Sequence, residues 1–287
     1  EIDQWFLKIT DYADELLSSL DDLDWPENVK TMQKNWIGKS SGAEIKYKIE
    51  DSDNYLTAFT TRPDTIFGVS FVAISPNHQM ATNLAKENDS IKKFLSQCKE
   101  TSAAEADMAK AEKLGFKTNI KVIHPITKEL IPVWIGNFVL LDYGTGVVMG
   151  VPGHDQRDYE FAKKYKIKIN QVIKTEDNEL PVLEKGLLIN SNQFNGMNSD
   201  DAIKRIIEYL QENDLGQELI QFRLRDWGIS RQRYWGCPIP VVYEDGTPRL
   251  LNENELPVEL PKLEKNSPPL PLSKNKNFIK ISENVLR

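Results

Sequence analysis

One stretch restricts the fold more than any other, residues 144–161, which read GTGVVMGVPGHDQRDYEF. It opens as a glycine-punctuated turn after the apolar run Phe138-Val139-Leu140-Leu141 and continues as an apolar strand, Val147 to Val151. The strand breaks at Pro152-Gly153, and His154, Asp155 and Asp158 follow as a helix begins. Loops of this kind on a rigid scaffold carry function more often than packing does. Asp155 near the N-cap and Asp158 three residues later also read as capping groups that satisfy free N–H groups and complement the helix dipole. A helix N-terminus lowers a carboxylate pKa, so Asp158 is expected to be ionised at pH 7, a poor general acid but a good receptor for an ammonium group. A metal site at His154-Asp155-x-x-Asp158 would need a fourth ligand, and none is evident. Gly144-x-Gly146-x-x-x-Gly150 leads into a strand, which argues against a dinucleotide fingerprint, and no Gly-Lys-Ser/Thr follows to make a Walker loop.

The other segments are short strands with helices between them. Ala43 to Ile49 alternates apolar with charged residues, Asp51 to Asn54 is turn chemistry, and Tyr55 to Thr61 is a second strand. Ile66 to Ile74, Lys121 to His124, Leu130 to Ile135 and Asn137 to Leu141 supply further strands. Asn77 to Cys98 and Ser102 to Leu114 are expected helices, with His78 a surface or capping residue and Gly115 a C-cap. This spacing predicts an α+β fold with a strongly coiled, β-barrel-like core of short strands and inserted helices. A helix at Ser199 to Glu212, with Asp200 and Asp201 in its first turn, completes the central domain, placed at 39–222 after a linker-like break at Lys39-Ser40-Ser41-Gly42. Residues 1–38 form a helical arm, an amphipathic helix from Trp5 to Leu23 and a second from Val29 to Asn35. Residues 223–287 form a re-entry strand and a proline-rich connector that is loosely ordered from residue 253.

No apolar run approaches the ~20 residues that span a bilayer, and the N-terminus has no signal-peptide core, so no membrane partner is expected. Cys98 and Cys237 are far apart, which argues against a zinc ribbon or a disulfide scaffold and for a reducing, cytoplasmic setting. The net charge of −7 gives no general attraction to nucleic acid, so an RNA partner would need a local patch. Arg223, Arg225, Arg231 and Arg233 with Trp227 and Trp235 form the one dense basic-aromatic run, readable as a salt-bridged strand or as an RNA- or ATP-side contact.

Thr60-Thr61-Arg62-Pro63-Asp64-Thr65 breaks a strand at a proline and gathers three hydroxyls, a guanidinium and a carboxylate. The threonines serve equally as β-formers, with Asp64 capping a turn, or as a polar pocket wall whose Arg62 meets a carbonyl or phosphate oxygen.

That hexapeptide, Tyr143 to Met149 and Val151 to Phe161, in this order, resemble the editing insertion (connective polypeptide 1) of a leucyl-tRNA synthetase. Asp64 and the run Met149…His154-Asp155 fit the leucyl branch better than the isoleucyl and valyl sisters that share the fold. The arm and Met32 to Gly38 resemble the approach to that insertion, so the resemblance covers nearly the whole chain. It implies hydrolysis of the ester joining a wrong amino acid, such as norvaline or isoleucine, to the terminal adenosine of tRNA-Leu. On this resemblance Asp158 anchors the substrate α-amino group, and Thr65 sterically bars leucine. Thr60, Thr61 and Arg62 surround the ester and its attacking water. Leu140 and Tyr143 form the adenosine pocket, while Met149, His154 and Asp155 line the amino-acid side. A pocket rejects a smaller side chain by only ~1–3 kcal/mol per methylene, which is why a second sieve is needed. The implied partner is the 3′ end of tRNA-Leu, met by a monomer, with no metal or cofactor for editing. The family's HIGH and KMSKS signatures are missing from the sequence, so ATP and Mg would belong to a catalytic domain outside this chain.

Overall fold

Alternation in the first β segment yields a strand longer than expected, β1 over Lys39–Ile49. Lys39 to Gly42 is therefore the start of a strand and no linker. Gly42 is there for close approach, since a Cβ would lie 2.1 Å from the Thr60 carbonyl oxygen. The computed structural model describes residues 4–100, 112–140, 145–175, 179–230, 236–262, 272–282 and 285–286. Along the chain β1 is followed by β2 (Tyr55–Thr60), a 3-10 turn (Pro63–Gly68), β3 (Phe71–Ile74), α1 (Gln79–Glu87) and α2 (Asp89–Glu100). Then come β4 (Gly115–Ile123), β5 (Leu130–Gly136), β6 (Val147–Gly150), α3 (Gln156–Tyr165), α4 (Ser199–Glu212) and β7 (Gly216–Phe222).

The strands join in the order β2-β1-β4-β5-β3-β6, with β7 also paired to β1. β3 and β5 run parallel, with Val72 opposite Val133, while β3 and β6 run antiparallel, with Phe71 opposite Gly150. The fold is mixed α/β. Among the described residues no strand pairing joins β2 to β6, so a closed barrel is not found. Because strand side chains alternate in direction, the sheet buries both faces. Val72, Ile74, Val133 and Ile135 join one core with Ile206 and Leu210 of α4. Phe71, Ala73 and Trp134 face the other way, onto Phe161 of α3. That two-sided burial accounts for the almost unbroken apolar run of β3.

Several expectations are revised. Gly115 opens β4 instead of capping a helix, and residues 102–111 of that expected helix lie outside the described residues. The strand expected from Asn137 is a turn at Asn137 and Phe138, with the Asn137 side chain accepting from the Leu114 N–H at 2.9 Å. A single helix over Asn77 to Cys98 is two helices, with His78 capping the first through its ring nitrogen.

The chain divides into two compact units, residues 39–221 and residues 1–38 with 222–287. In the second unit the expected helix from Trp5 begins instead as a short strand, Phe6–Leu7, paired with Trp227–Gly228. Strand pairing there overrides the helical spacing; a 3-10 turn over Ile9–Tyr12 and helices over Ala13–Ser19 and Glu27–Ile37 follow. Ala13, Leu20, Ile37 and Leu224 form its small core. Within the connector Val285–Leu286 adds a strand to the hairpin of Val241–Glu244 and Thr247–Leu250. Arg231, Arg233 and Trp235 of the basic-aromatic run lie outside the described residues.

Candidate functional site

β2 ends at Thr60, and the turn that follows is held by its own polar groups. The Arg62 N–H donates to Thr60 Oγ1 at 3.0 Å, and Pro63 starts the 3-10 turn with its fixed φ. The Arg62 guanidinium grips the Asp64 carboxylate through Nε at 3.0 Å and Nη2 at 2.9 Å, and its Nη1 donates to the Leu183 carbonyl at 3.0 Å. Asp64 is fully buried, so this fork joins a buried carboxylate to a charge that also fixes a distant loop. Thr65 is fully buried as well, and its Oγ1 donates to the Arg62 carbonyl at 2.8 Å, which locks the side chain in one rotamer. Thr60 is half-buried and Thr61 exposed.

The turn after β6 lies alongside. Ser70 N–H donates to the Gly150 carbonyl at 2.9 Å, continuing the β3–β6 pairing, and the Gly68 Cα backs onto the His154 ring. His154 is buried with both ring nitrogens engaged: Nδ1 donates to the Val182 carbonyl at 3.1 Å, and Nε2 accepts from the Val172 N–H at 2.9 Å. Burial pushes its pKa down, so the ring is neutral at pH 7 and serves as a strut between loops. Gly153 admits no side chain, because a Cβ would lie 2.4 Å from the Asn170 carbonyl oxygen. Gly153→Ala is expected to destabilise the protein by about 1–3 kcal/mol, read as a lower urea midpoint at unchanged m-value. An unchanged midpoint would mean that the loop yields freely there.

Asp155 is the N-cap of α3, its Oδ1 accepting from the N–H groups of Arg157 at 2.8 Å and Asp158 at 3.1 Å. Asp158 does something else. It is buried, and its Oδ2 accepts from the Val151 N–H at 2.8 Å. Burial, with the Asp155 charge adding to it, pushes Asp158 up to about 7, opposite to the expected direction. Desolvation outweighs the helix dipole and the single amide donor. His154, Asp155 and Asp158 thus each serve a separate set of hydrogen bonds.

Met149 is buried in β6, opposite Val72, and its Sδ accepts from the Tyr47 hydroxyl at 3.6 Å. Leu140 is half-buried, and Tyr143 lies outside the described residues. The structure therefore brings Thr60, Arg62 and Thr65 onto one turn and His154, Asp155 and Asp158 onto its neighbour. Sequence reasoning passed over His124, whose Nε2 donates to the Ile66 carbonyl at 3.0 Å, and the Leu183 and Val182 carbonyls. For His124 a signal existed: a histidine before a proline at a strand end is turn chemistry with two hydrogen-bonding atoms.

The family model described as "Leucyl-tRNA synthetase, editing domain" matches residues 34–211 of this chain, and that of "tRNA synthetases class I (I, L, M and V)" matches residues 198–268. The chain is 55% identical over 270 residues to the leucine–tRNA ligase of Francisella tularensis subsp. tularensis, covering 91% of this chain and 33% of that protein. It is 51% identical over 293 residues to that of Hahella chejuensis, covering 99% and 34% respectively. It therefore spans about a third of the length of these relatives. In structure it is similar to the LeuRS in the ternary LeuRS-tRNA-LeuAMS complex of Agrobacterium radiobacter K84, with a TM-score of 0.75 and 33% identity over 99% of this chain and 34% of that one. With the matching family model covering well over half of its residues, the chain belongs to the leucyl-tRNA synthetase editing-domain family.

Proposed function

We propose that this chain is the editing module of a leucyl-tRNA synthetase and hydrolyses the ester between a non-cognate amino acid and the terminal adenosine of tRNA-Leu. The observation that carries the reading is Asp158, a carboxylate buried beneath the turn after β6 and poised near neutrality. Carboxylates perturbed by burial cluster at functional sites. In the proposal Asp158 takes up its negative charge when the substrate ammonium arrives to pair with it. Thr65 bars leucine while norvaline and isoleucine enter. Thr60 and Thr61 surround the ester, and Arg62 acts through its grip on Asp64 and Leu183, fixing the turn on which they sit. Asp155, His154 and Met149 shape the amino-acid side through the bonds they already make, and Leu140 with Tyr143 receives the adenosine.

The chemistry needs only water. Its oxygen attacks the ester carbonyl, the bond to the ribose oxygen breaks, and that oxygen leaves with the proton. Positioning and substrate hydroxyls supply the acceleration, with no metal or cofactor in the step. The proposal includes a cytoplasmic monomer whose partner is the 3′ end of tRNA-Leu. ATP and Mg would serve a catalytic domain elsewhere in the longer protein.

Norvalyl-tRNA-Leu incubated with this chain is expected to release norvaline, while leucyl-tRNA-Leu is spared and no leucine-dependent ATP–pyrophosphate exchange occurs. A binding-only reading is favoured by the net charge of −7, which weakens the grip on tRNA. It predicts adenosine-analogue binding without release. Neither binding nor release would end the editing proposal.

A further inference from the structure

The 3-10 turn that carries Thr65 is six residues long, Pro63–Gly68. Such turns have poor hydrogen-bond geometry and set their position by what they pack against. At the two ends of Pro63–Gly68 the backbone closes with Thr65 N–H to the Arg62 carbonyl at 3.0 Å and Val69 N–H to the Ile66 carbonyl at 3.2 Å. That same carbonyl takes a second bond, from His124 Nε2 at 3.0 Å. His124 stands 58 positions along the chain, at the head of the loop between β4 and β5, and is 3% exposed. Its Nδ1 accepts from the N–H groups of Ile126 at 3.1 Å and Thr127 at 3.0 Å. Its own N–H donates to the Glu129 carbonyl at 2.8 Å, closing the loop around it. The Phe67 ring lies 6.0 Å from the imidazole, centroid to centroid.

These partners leave one protonation state. A carbonyl at Nε2 requires a proton there, and two amide donors at Nδ1 require a lone pair, so the ring is the neutral Nε2–H tautomer. Burial lowers its pKa and favours that neutral form. The imidazole is therefore a rigid spacer between the β4–β5 loop, anchored on the sheet, and the carbonyl of the residue next to Thr65. A steric sieve works only if the blocking group cannot retreat. Thr65 fixes its own rotamer on the Arg62 carbonyl, but that bond lies within the turn and moves with it. The His124 bond reaches the Ile66 carbonyl, next to Thr65, from outside the turn, from the β4–β5 loop.

We infer that His124 is a positioning residue for substrate selection, holding Thr65 at the depth from which it excludes leucine. This rests on the editing function proposed above. It concerns selection between amino acids and leaves the hydrolytic step to other groups.

Two isosteric halves of the imidazole separate the bonds. In His124→Asn the amide oxygen sits near the place of Nδ1 and keeps the loop amides, while the bond to Ile66 is lost. In His124→Gln the amide nitrogen reaches the place of Nε2 and keeps Ile66, while the loop amides lose their acceptor. The experiment compares kcat/KM for norvalyl- and leucyl-tRNA-Leu with the full chain in wild type and both variants. It is paired with amide hydrogen exchange of the peptide covering residues 63–69. We expect His124→Asn to admit leucine, lowering the norvaline-over-leucine ratio by about tenfold, because one methyl-sized displacement is worth that much in an apolar sieve. Exchange in residues 63–69 rises with it. His124→Gln keeps the ratio within threefold even where its melting temperature falls further than that of His124→Asn. A ratio that follows overall stability in both variants, or stays unchanged in His124→Asn, overturns the inference while the editing reading stands. Should His124→Asn be too unstable to assay, loss of selectivity or of turn protection in His124→Gln, which keeps the Ile66 bond, overturns it, and retention of both supports it. Wild type that releases neither amino acid ends the editing reading, and this inference with it.

Discussion

Asp158→Asn is expected to abolish release of norvaline from norvalyl-tRNA-Leu and, at the same time, to make the protein more stable at neutral pH. The two effects share one cause. Asp158 is buried with a single hydrogen bond from the Val151 N–H, and its pKa stands at about 7. In the unfolded chain an aspartate titrates near ~3.9. Between those values the folded protein keeps a proton that the unfolded chain has released. The contribution of Asp158 to wild-type stability is then fullest below about pH 4, falls as pH rises through the window from about 4 to 7, and is level above it. Asparagine is neutral throughout and still offers Val151 an acceptor. The unfolding free energy of Asp158→Asn should match wild type near pH 4 and exceed it at pH 8, by about 1–3 kcal/mol once part of the three-unit shift is discounted, read as a higher melting temperature. Activity moves the other way. A buried carboxylate facing an ammonium contributes about 2–5 kcal/mol when one partner is removed, so kcat/KM should fall by roughly two to three orders of magnitude. For wild type, kcat/KM should rise about tenfold per pH unit up to about 7 as Asp158 ionises, because that parameter reports groups of the free enzyme. Above about 8 it should fall again as the substrate α-amino group loses its proton. A flat profile from pH 5.5 to 7 would show that Asp158 does not receive the substrate charge. Equal melting curves at pH 8 would show that the carboxylate carries no burial penalty.

What could be read from the sequence was local. The helix Ser199–Glu212 and the Asp155 cap follow from residues within a turn of one another, and both are found where the pattern puts them. Asp158 defeated the same logic. Its place in the first turn of α3 is visible in sequence, but the burial that reverses its pKa depends on the turn after β6 folding over it. Lys39 to Gly42 looked like a linker because small polar residues are also what a close strand crossing needs, and the Thr60 carbonyl that demands Gly42 lies far along the chain. The Arg62 fork reaches Leu183 across 121 positions, and His124 reaches Ile66 across 58. No periodicity encodes such pairings. Phe6–Leu7 falls within a helical spacing and still forms a strand, because Trp227–Gly228 offers it a partner. Motif order brought the site residues into view, and long-range contacts decided what each one does there.

Thr65→Ala should turn leucyl-tRNA-Leu into a substrate. Thr65 is fully buried, its hydroxyl is committed to the Arg62 carbonyl, and the rotamer this imposes fixes where its methyl stands. A blocking group of one methyl is worth about 1–3 kcal/mol against a side chain that collides with it, so leucine release should rise by about 10–200-fold with norvaline release little changed. Threonine has two groups that could block, and two further variants tell them apart. Thr65→Val keeps the volume and loses the hydroxyl; the Arg62 carbonyl still receives the Thr65-position N–H at 3.0 Å, so the loss is about 1 kcal/mol of stability and leucine stays excluded. Thr65→Ser keeps the hydroxyl bond and loses the methyl, and leucine should enter about as readily as in Thr65→Ala. If serine excludes leucine and valine admits it, the hydroxyl is the sieve and the bond to Arg62 is its hinge. If all three variants spare leucine, the steric bar lies on another residue, and the burial of Thr65 serves packing alone.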